Sequence, residues 1–332
     1  MSNIPWSAVK FELPDVRSFL FRVLLCLLVA FSVAGCGSRG DRLSADGTCH
    51  FWVDADDRPA ISAMINDVPI EALIDTGYNC GVCLPREDLP LYKMKEKGKD
   101  KVPNTFPSGN EESWLTDSFI LSIGRKKINV NAASATEKLI LNIFGMQVLN
   151  ALGAIIDCGK QSLSYPSIID GTSRGDYYTR ENFLSLGFRP FRWAGQSEIL
   201  INGSLDGHRV FFLVDTGSTI SSLSARLIQQ WGMSDEGTWF HFSRFISRSL
   251  GFYNVYDGAG NALRYGRSRP MALSMGDISI VNQYQTWDMQ AINEHRSRDG
   301  EPPMAGIIGM DILLRCQAVI DFRNKTMYLK PP

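Results

Sequence analysis

Two aspartates stand in the same triplet. Asp75 and Asp215 each open an Asp-Thr-Gly that follows a run of mostly apolar residues, in EALIDTGYNCG (71–81) and FFLVDTGSTIS (211–221). Two carboxylates held about 3 Å apart cannot both ionise, so a pair of this kind shares a proton and serves as acid and base together. Alone, an Asp-Thr-Gly could merely end a strand, because Asp and Gly are turn formers. Two copies in matching contexts argue for a common task.

Other chemistries find little material. The four histidines, His50, His208, His241 and His295, show no ligand spacing and no HExxH. No phosphate loop is present. No metal and no cofactor are therefore expected. The CGVC at 80–83 has CxxC spacing, but it lacks a second CxxC and follows Asp75 inside an expected strand, so buried or locally bonded sulfur fits it better than redox work. A formal net charge of −1 gives no field that would attract nucleic acid.

The elements that must position the carboxylates are repeated as well. AMINDVPIEALIDTG (63–77) lies on GSLDGHRVFFLVDTG (203–217) at an offset of 140. Each reads as a β-hairpin turning at Asn66-Asp67 or Asp206-Gly207, whose second strand delivers the aspartate. Downstream, NIFGMQVLNALGAIIDCGKQSLSY (142–165) lies on GIIGMDILLRCQAVIDFRNKTMYL (306–329) at an offset of 164, with Gly145 on Gly309 and Asp157 on Asp321. Both predict two apolar residues before Gly-Met, a short helical segment, a strand, a turn and a last strand. Between these anchors, GNEESWLTDSFILSIG (109–124) resembles GNALRYGRSRPMALSMG (260–276). The difference of 24 between the offsets falls mostly in 224–250, an insertion of partly helical character.

Hairpin, Asp-Thr-Gly, glycine turn and apolar-apolar-Gly followed by a short helix, in that order and twice, resemble the retropepsin-like aspartic peptidases. The resemblance implies a mostly β chain of two retropepsin-like barrel lobes forming a pepsin-like bilobal pseudo-dimer. The boundaries it implies are a first lobe at 58–168, a linker at 169–193 in which Thr179–Gly187 reads as a short helix, and a second lobe at 194–332. It also implies an aspartic endopeptidase acting on an extended protein or peptide segment, with one site per monomeric chain. Carried over residue by residue, Asp75 and Asp215 are the catalytic pair. Thr76 and Thr216 bond across to the opposite loop, Gly77 and Gly217 leave room, and the Ser218 hydroxyl supports a carboxylate oxygen. Gly109, Gly258 and Gly260 are candidate flap glycines. Tyr78 stands where the family has a small residue: the phenol could reach a carboxylate oxygen, enter a specificity pocket or pack as a ring between the lobes. The alternative is a peptide-binding or scaffolding protein that kept the fold and lost the activity.

The N-terminus points to a membrane. Lys10, Arg17 and Arg22 precede VLLCLLVAFSVAG (23–35), an apolar run of signal-peptide rather than membrane-spanning length. It runs into Val33-Ala34-Gly35-Cys36, which resembles the lipobox of bacterial lipoproteins. That likeness implies a signal at 1–35, lipid on Cys36, a tether at 36–57 and residence at the extracytoplasmic face of the cell envelope. Five cysteines then remain, Cys49, Cys80, Cys83, Cys158 and Cys316, an odd number that permits at most two disulfides.

Overall fold

The two hairpins fold as their turn residues dictate. Pro59–Ile65 pairs with Val68–Ile74, and Gln196–Leu205 with His208–Val214. Their two-residue turns hold positive φ at both positions, 48° and 64° at Asn66 and Asp67, 45° and 86° at Asp206 and Gly207. That backbone twist matches the twist of the paired strands, which is why these residue types occur there. The computed structural model describes residues 48–165 apart from 55–56, 79–80, 107–108, 138 and 140. It also describes 183–233 apart from 188 and 194–195, the pairs 255–256 and 262–263, and 265–332 apart from 299 and 301–302. Arg42–Pro332 forms one compact unit.

The chain is mostly β, with a ten-stranded sheet in its first half, a seven-stranded sheet in its second and a six-stranded sheet drawn from both. In each half the aspartate-bearing strand takes a parallel neighbour from the Gly-Met segment: Asn142–Phe144 lies beside Ala72 to Ile74, and Met304–Ile308 beside Phe211 to Val214. Each of these neighbours has a third strand antiparallel on its other side, Val82–Pro85 or Ser222–Ser224. Just beyond, Gly145 and Gly309 cap the short helices Met146–Leu152 and Met310–Arg315, the helical segments read from sequence. Ile74, Phe144, Leu149, Val214, Ile308 and Leu313 are all buried in one continuous core that runs through both halves.

The six-stranded sheet runs Cys49–His50, Ser162–Ser164, Ile155–Asp157, Val319–Asp321, Thr326–Leu329 and Leu184–Gly187. Its central register sets Ile155 on Asp321, Ile156 on Ile320 and Asp157 on Val319. Under the sequence offset of 164 this register maps onto itself, so a local two-fold axis passes between Ile156 and Ile320. A self-complementary pairing of this kind is what joins identical subunits; here it lies within one chain.

Two expectations need correction. Thr179–Gly187 was expected as a helix, yet Leu184–Gly187 is a strand, paired antiparallel with Thr326–Leu329. Leu184 and Leu186 turn inward at a period of two, and partners about 140 residues away outweigh the local helical pattern. Residues 179–182 lie outside the described residues. Arg189–Trp193 is a strand too, paired with Gln196–Leu205. The repeat therefore opens within the stretch read as a linker, since Leu184–Gly187 holds in the second half the edge position that Cys49–His50 holds in the first. The insertion begins with the helix Ala225–Gln230, in keeping with its sequence, and 234–250 lies outside the described residues.

Cys49, Cys83, Cys158 and Cys316 are all buried. Burial pushes the Cys158 thiol up to about 12, with the neighbouring Asp157 charge adding to the rise, so it stays protonated and inert. Cys83, the described half of CGVC, behaves as core sulfur; Cys80 lies outside the described residues.

Candidate active site

The strand ends Val68–Ile74 and His208–Val214 bring Asp75 and Asp215 to one place. The backbone of each aspartate is fixed by its parallel neighbour, with Asp75 N–H donating to the Phe144 carbonyl at 3.0 Å and Asp215 N–H to the Ile308 carbonyl at 3.0 Å. Each carboxylate then accepts from its own turn. Asp75 Oδ1 takes the N–H groups of Gly77 at 2.8 Å and Tyr78 at 2.9 Å, while Asp215 Oδ1 takes that of Gly217 at 2.8 Å.

The turns are locked to one another by their threonines, both fully buried. Thr76 N–H donates to Thr216 Oγ1 at 3.1 Å, and Thr216 N–H to Thr76 Oγ1 at 3.0 Å. The hydroxyls donate onward across the two-fold, Thr76 Oγ1 to the Val214 carbonyl at 2.8 Å and Thr216 Oγ1 to the Ile74 carbonyl at 2.5 Å. Four reciprocal bonds inside a dry interface hold the two loops at a set separation.

Within that frame the carboxyl groups of Asp75 and Asp215 hydrogen-bond to each other. Both pKa values are raised. For Asp75 the cause is burial, opposed by the bond to Asp215, by the Tyr78 and Gly77 N–H groups and by the Arg58 charge. For Asp215 burial comes first, then the Asp75 charge and the bond to it. The proton belongs to the pair rather than to either residue. A carboxyl and a carboxylate in contact, each residue keeping a partly exposed face, can give and take a proton in one step.

Asp75, Thr76, Gly77, Asp215, Thr216 and Gly217 are thus brought together as the repeat implies. Ser218 is not used as expected. Its hydroxyl donates to the Ile220 carbonyl at 3.0 Å, a short local bond, and its backbone N–H donates to the main-chain carbonyl of Asp215 at 3.3 Å. Tyr78 is buried in the first half with Cys83, Leu139 and Ile143, so its ring is core rather than a plug between the halves. Gly109 faces Phe106 at the tip of the hairpin formed by Glu96–Phe106 and Gly109–Thr116. Gly258, Gly260 and Cys36 lie outside the described residues, the two glycines between the paired strands Val255–Tyr256 and Ala262–Leu263.

Two arrangements were not foreseen from sequence. Arg86 grips the base of the Gly109 hairpin: its guanidinium stacks 3.8 Å from the Trp114 ring centroid and bonds Glu96 and Glu137, each at 2.6 Å. Asp311 accepts from both the N–H and the hydroxyl of Ser221, at 2.8 and 2.6 Å. The only sequence trace of the second is that Ser221 and Asp311 break the repeat, where the first copy has Gly81 and Gln147. Among the described residues no group of three or more His, Cys, Asp or Glu could hold a metal ion. Compared with known protein families and with curated proteins, the chain matches none.

Proposed function

We propose that this chain is an aspartic endopeptidase built from two retropepsin-like lobes, with one site per monomer formed by Asp75 and Asp215. The observation that carries the reading is the hydrogen-bonded carboxyl pair set between loops whose threonines bond reciprocally. A water between the carboxyls gives a proton to the ionised one as its oxygen attacks a peptide carbonyl carbon, and the protonated one gives its proton to the carbonyl oxygen. The tetrahedral adduct then collapses: the adduct returns a hydroxyl proton to the pair, the amide nitrogen takes up a proton, and the C–N bond breaks. No metal or covalent enzyme intermediate is required, which fits a site made of two carboxyls and backbone N–H groups.

The substrate is an extended stretch of protein or peptide, covered by the Gly109 hairpin. The chain acts at the extracytoplasmic face of the envelope, tethered by lipid on Cys36. The packing of the Tyr78 ring with Cys83, Leu139 and Ile143 in the first half supports this reading over an inactive peptide binder.

Asp75→Asn and Asp215→Asn test the reading. The wild type is expected to cleave an unfolded casein between pH 3 and 7, and each single variant to lose that activity with its fold intact. A wild type that binds peptides without cutting any would instead identify a binding module. Labelling with a radioactive fatty acid, abolished in Cys36→Ala, tests the anchor.

A further inference from the structure

The two aspartate loops share a backbone path but are braced differently. In the second half Ser221 is buried, and it hands both of its donors to Asp311 Oδ1. Its hydroxyl oxygen in turn accepts the N–H of Gly309 at 2.9 Å. Asp311 sits in the first turn of Met310–Arg315, where a carboxylate is favoured by the helix dipole, and no side chain caps that helix. Next to it, Met310 N–H donates to the Ser218 carbonyl at 2.8 Å and Asp311 N–H to the Thr219 carbonyl at 3.1 Å. The loop lies directly on the helix start: a β-carbon on Gly309 would stand 2.7 Å from the Ser218 carbonyl oxygen and 2.8 Å from the Ile220 carbonyl carbon.

Among the described residues the first half has no such relay. Its equivalents are Gly81 and an exposed Gln147, and the Gly145 N–H goes straight to the Gly81 carbonyl at 2.7 Å. The side-chain brace belongs to the Asp215 loop.

We propose that Asp311 is a positioning residue for one half of the carboxyl pair: through Ser221 it fixes the loop 215–221, so that the Gly217 and Ser218 N–H groups stay aimed at Asp215. Without Asp311, a buried hydroxyl and a buried N–H lose their acceptor, and the loop can recover them only by moving. Asp215 is then the rigidly held member of the pair. The proposal rests on the peptidase reading for its kinetic consequence and on geometry alone for its structural one.

The test compares Asp311→Ala, Asp311→Asn and Gln147→Ala by peptide hydrolysis and by amide hydrogen exchange. Losing the acceptor of two donors should lower kcat of Asp311→Ala about tenfold or more with KM changed less than about twofold, because the loop orients a carboxyl rather than binding substrate. Asp311→Asn, whose amide oxygen can still accept both donors, should recover most of kcat, and Gln147→Ala should match the wild type. Exchange at 217–221 should quicken in Asp311→Ala only. If Asp311→Ala fails to fold, Ser221→Ala, which removes the link in the relay, is read in the same way. An unchanged kcat in Asp311→Ala, or an Asp311→Asn as impaired as Asp311→Ala, overturns the proposal. If the wild type cleaves nothing, the peptidase reading fails and exchange decides alone: faster exchange at 217–221 keeps the brace, and unchanged exchange overturns it.

Discussion

The carboxyl of Asp215 occupies the space that a side chain on residue 77 would need. A β-carbon on Gly77 would stand 2.5 Å from Asp215 Oδ2 and 2.6 Å from its Oδ1, and one on Gly217 would stand 2.5 and 2.7 Å from the same atoms of Asp75. Neither glycine has a left-handed backbone, so the requirement is for room rather than conformational freedom. Gly77→Ala must therefore push the two halves apart where they are most tightly bonded. We expect a loss of about 1–3 kcal/mol of stability from the overpacking. Hydrolysis should fall about a hundredfold, since a displacement of about 1 Å is enough to spoil the geometry. Thermal melting and casein cleavage measure the two effects, and a variant that melts and cuts like the wild type would show that the carboxyl does not pack there.

The raised pKa values of the pair bear on stability as well. Both aspartates bind protons more tightly folded than unfolded, with burial as the first cause. Between the unfolded carboxyl pKa and the raised value, the folded state holds more protons than the unfolded one. The stabilising contribution is therefore complete below the unfolded pKa of about 3.9 and is lost as pH rises through the folded value, by at most about 1.4 kcal/mol per pH unit for each carboxyl. Asp215→Asn cannot acquire the second buried charge. Its melting temperature should exceed that of the wild type at pH 7, with the difference shrinking toward pH 4. A gap that stays constant or widens on acidification would show that the pair does not hold the extra proton.

What could be read from the chain alone was whatever local chemistry specifies. Asn66-Asp67 and Asp206-Gly207 announce hairpins because two-residue turns with positive φ restrict residue type. Asp-Thr-Gly in register then placed both carboxylates and both threonines, since each rides on a strand whose apolar residues point into the core. Leu184–Gly187 differs from the expected helix because its partner, Thr326–Leu329, lies far along the chain and the alternation of Leu184 and Leu186 is too short to outweigh the local helical pattern. Ser218 was misjudged because a hydroxyl can choose between a carboxylate and its own loop's carbonyl, and only the folded loop decides. Asp311 and Ser221 looked ordinary for the same reason: a buried relay has no local signature beyond the break in the repeat.

Arg86 makes a separate prediction about the Gly109 hairpin. The register of Glu96–Phe106 against Gly109–Thr116 breaks between Glu96, opposite Thr116, and Lys101, opposite Trp114. Arg86 holds Glu96 on one side of the break and Trp114 on the other. The bonded side chains are partly exposed, at 34% for Arg86, 31% for Glu96 and 65% for Glu137, so the contribution to global stability is small. Locally the clamp decides how the hairpin is carried. Arg86→Ala should leave the melting temperature nearly unchanged while amide exchange quickens in 101–106 and 109–114. Arg86→Lys should not restore slow exchange, because an ammonium cannot stack and bond Glu96 through two nitrogens at once. Slow exchange in both variants would mean that the sheet alone carries the hairpin.

Thr216 gives the sharpest test of how the halves are joined. Its hydroxyl accepts from Thr76 N–H and donates to the Ile74 carbonyl, both inside a fully buried interface. Thr216→Val keeps the shape and removes both bonds, leaving a buried N–H and a buried carbonyl without partners. At about 1–3 kcal/mol for each orphaned group, the loss should reach about 2–6 kcal/mol. Thr76→Val should cost a similar amount by stranding Thr216 N–H and the Val214 carbonyl. The double variant should fall short of the sum, because whichever substitution comes first already loosens the contact that the second would break. Thr216→Ser retains the hydroxyl and should recover most of the stability, at the expense of one buried methyl group. Chemical denaturation of the four variants measures the cycle. Strict additivity would mean that the two threonines act separately, and the reciprocal lock between the aspartate loops would then have to be abandoned.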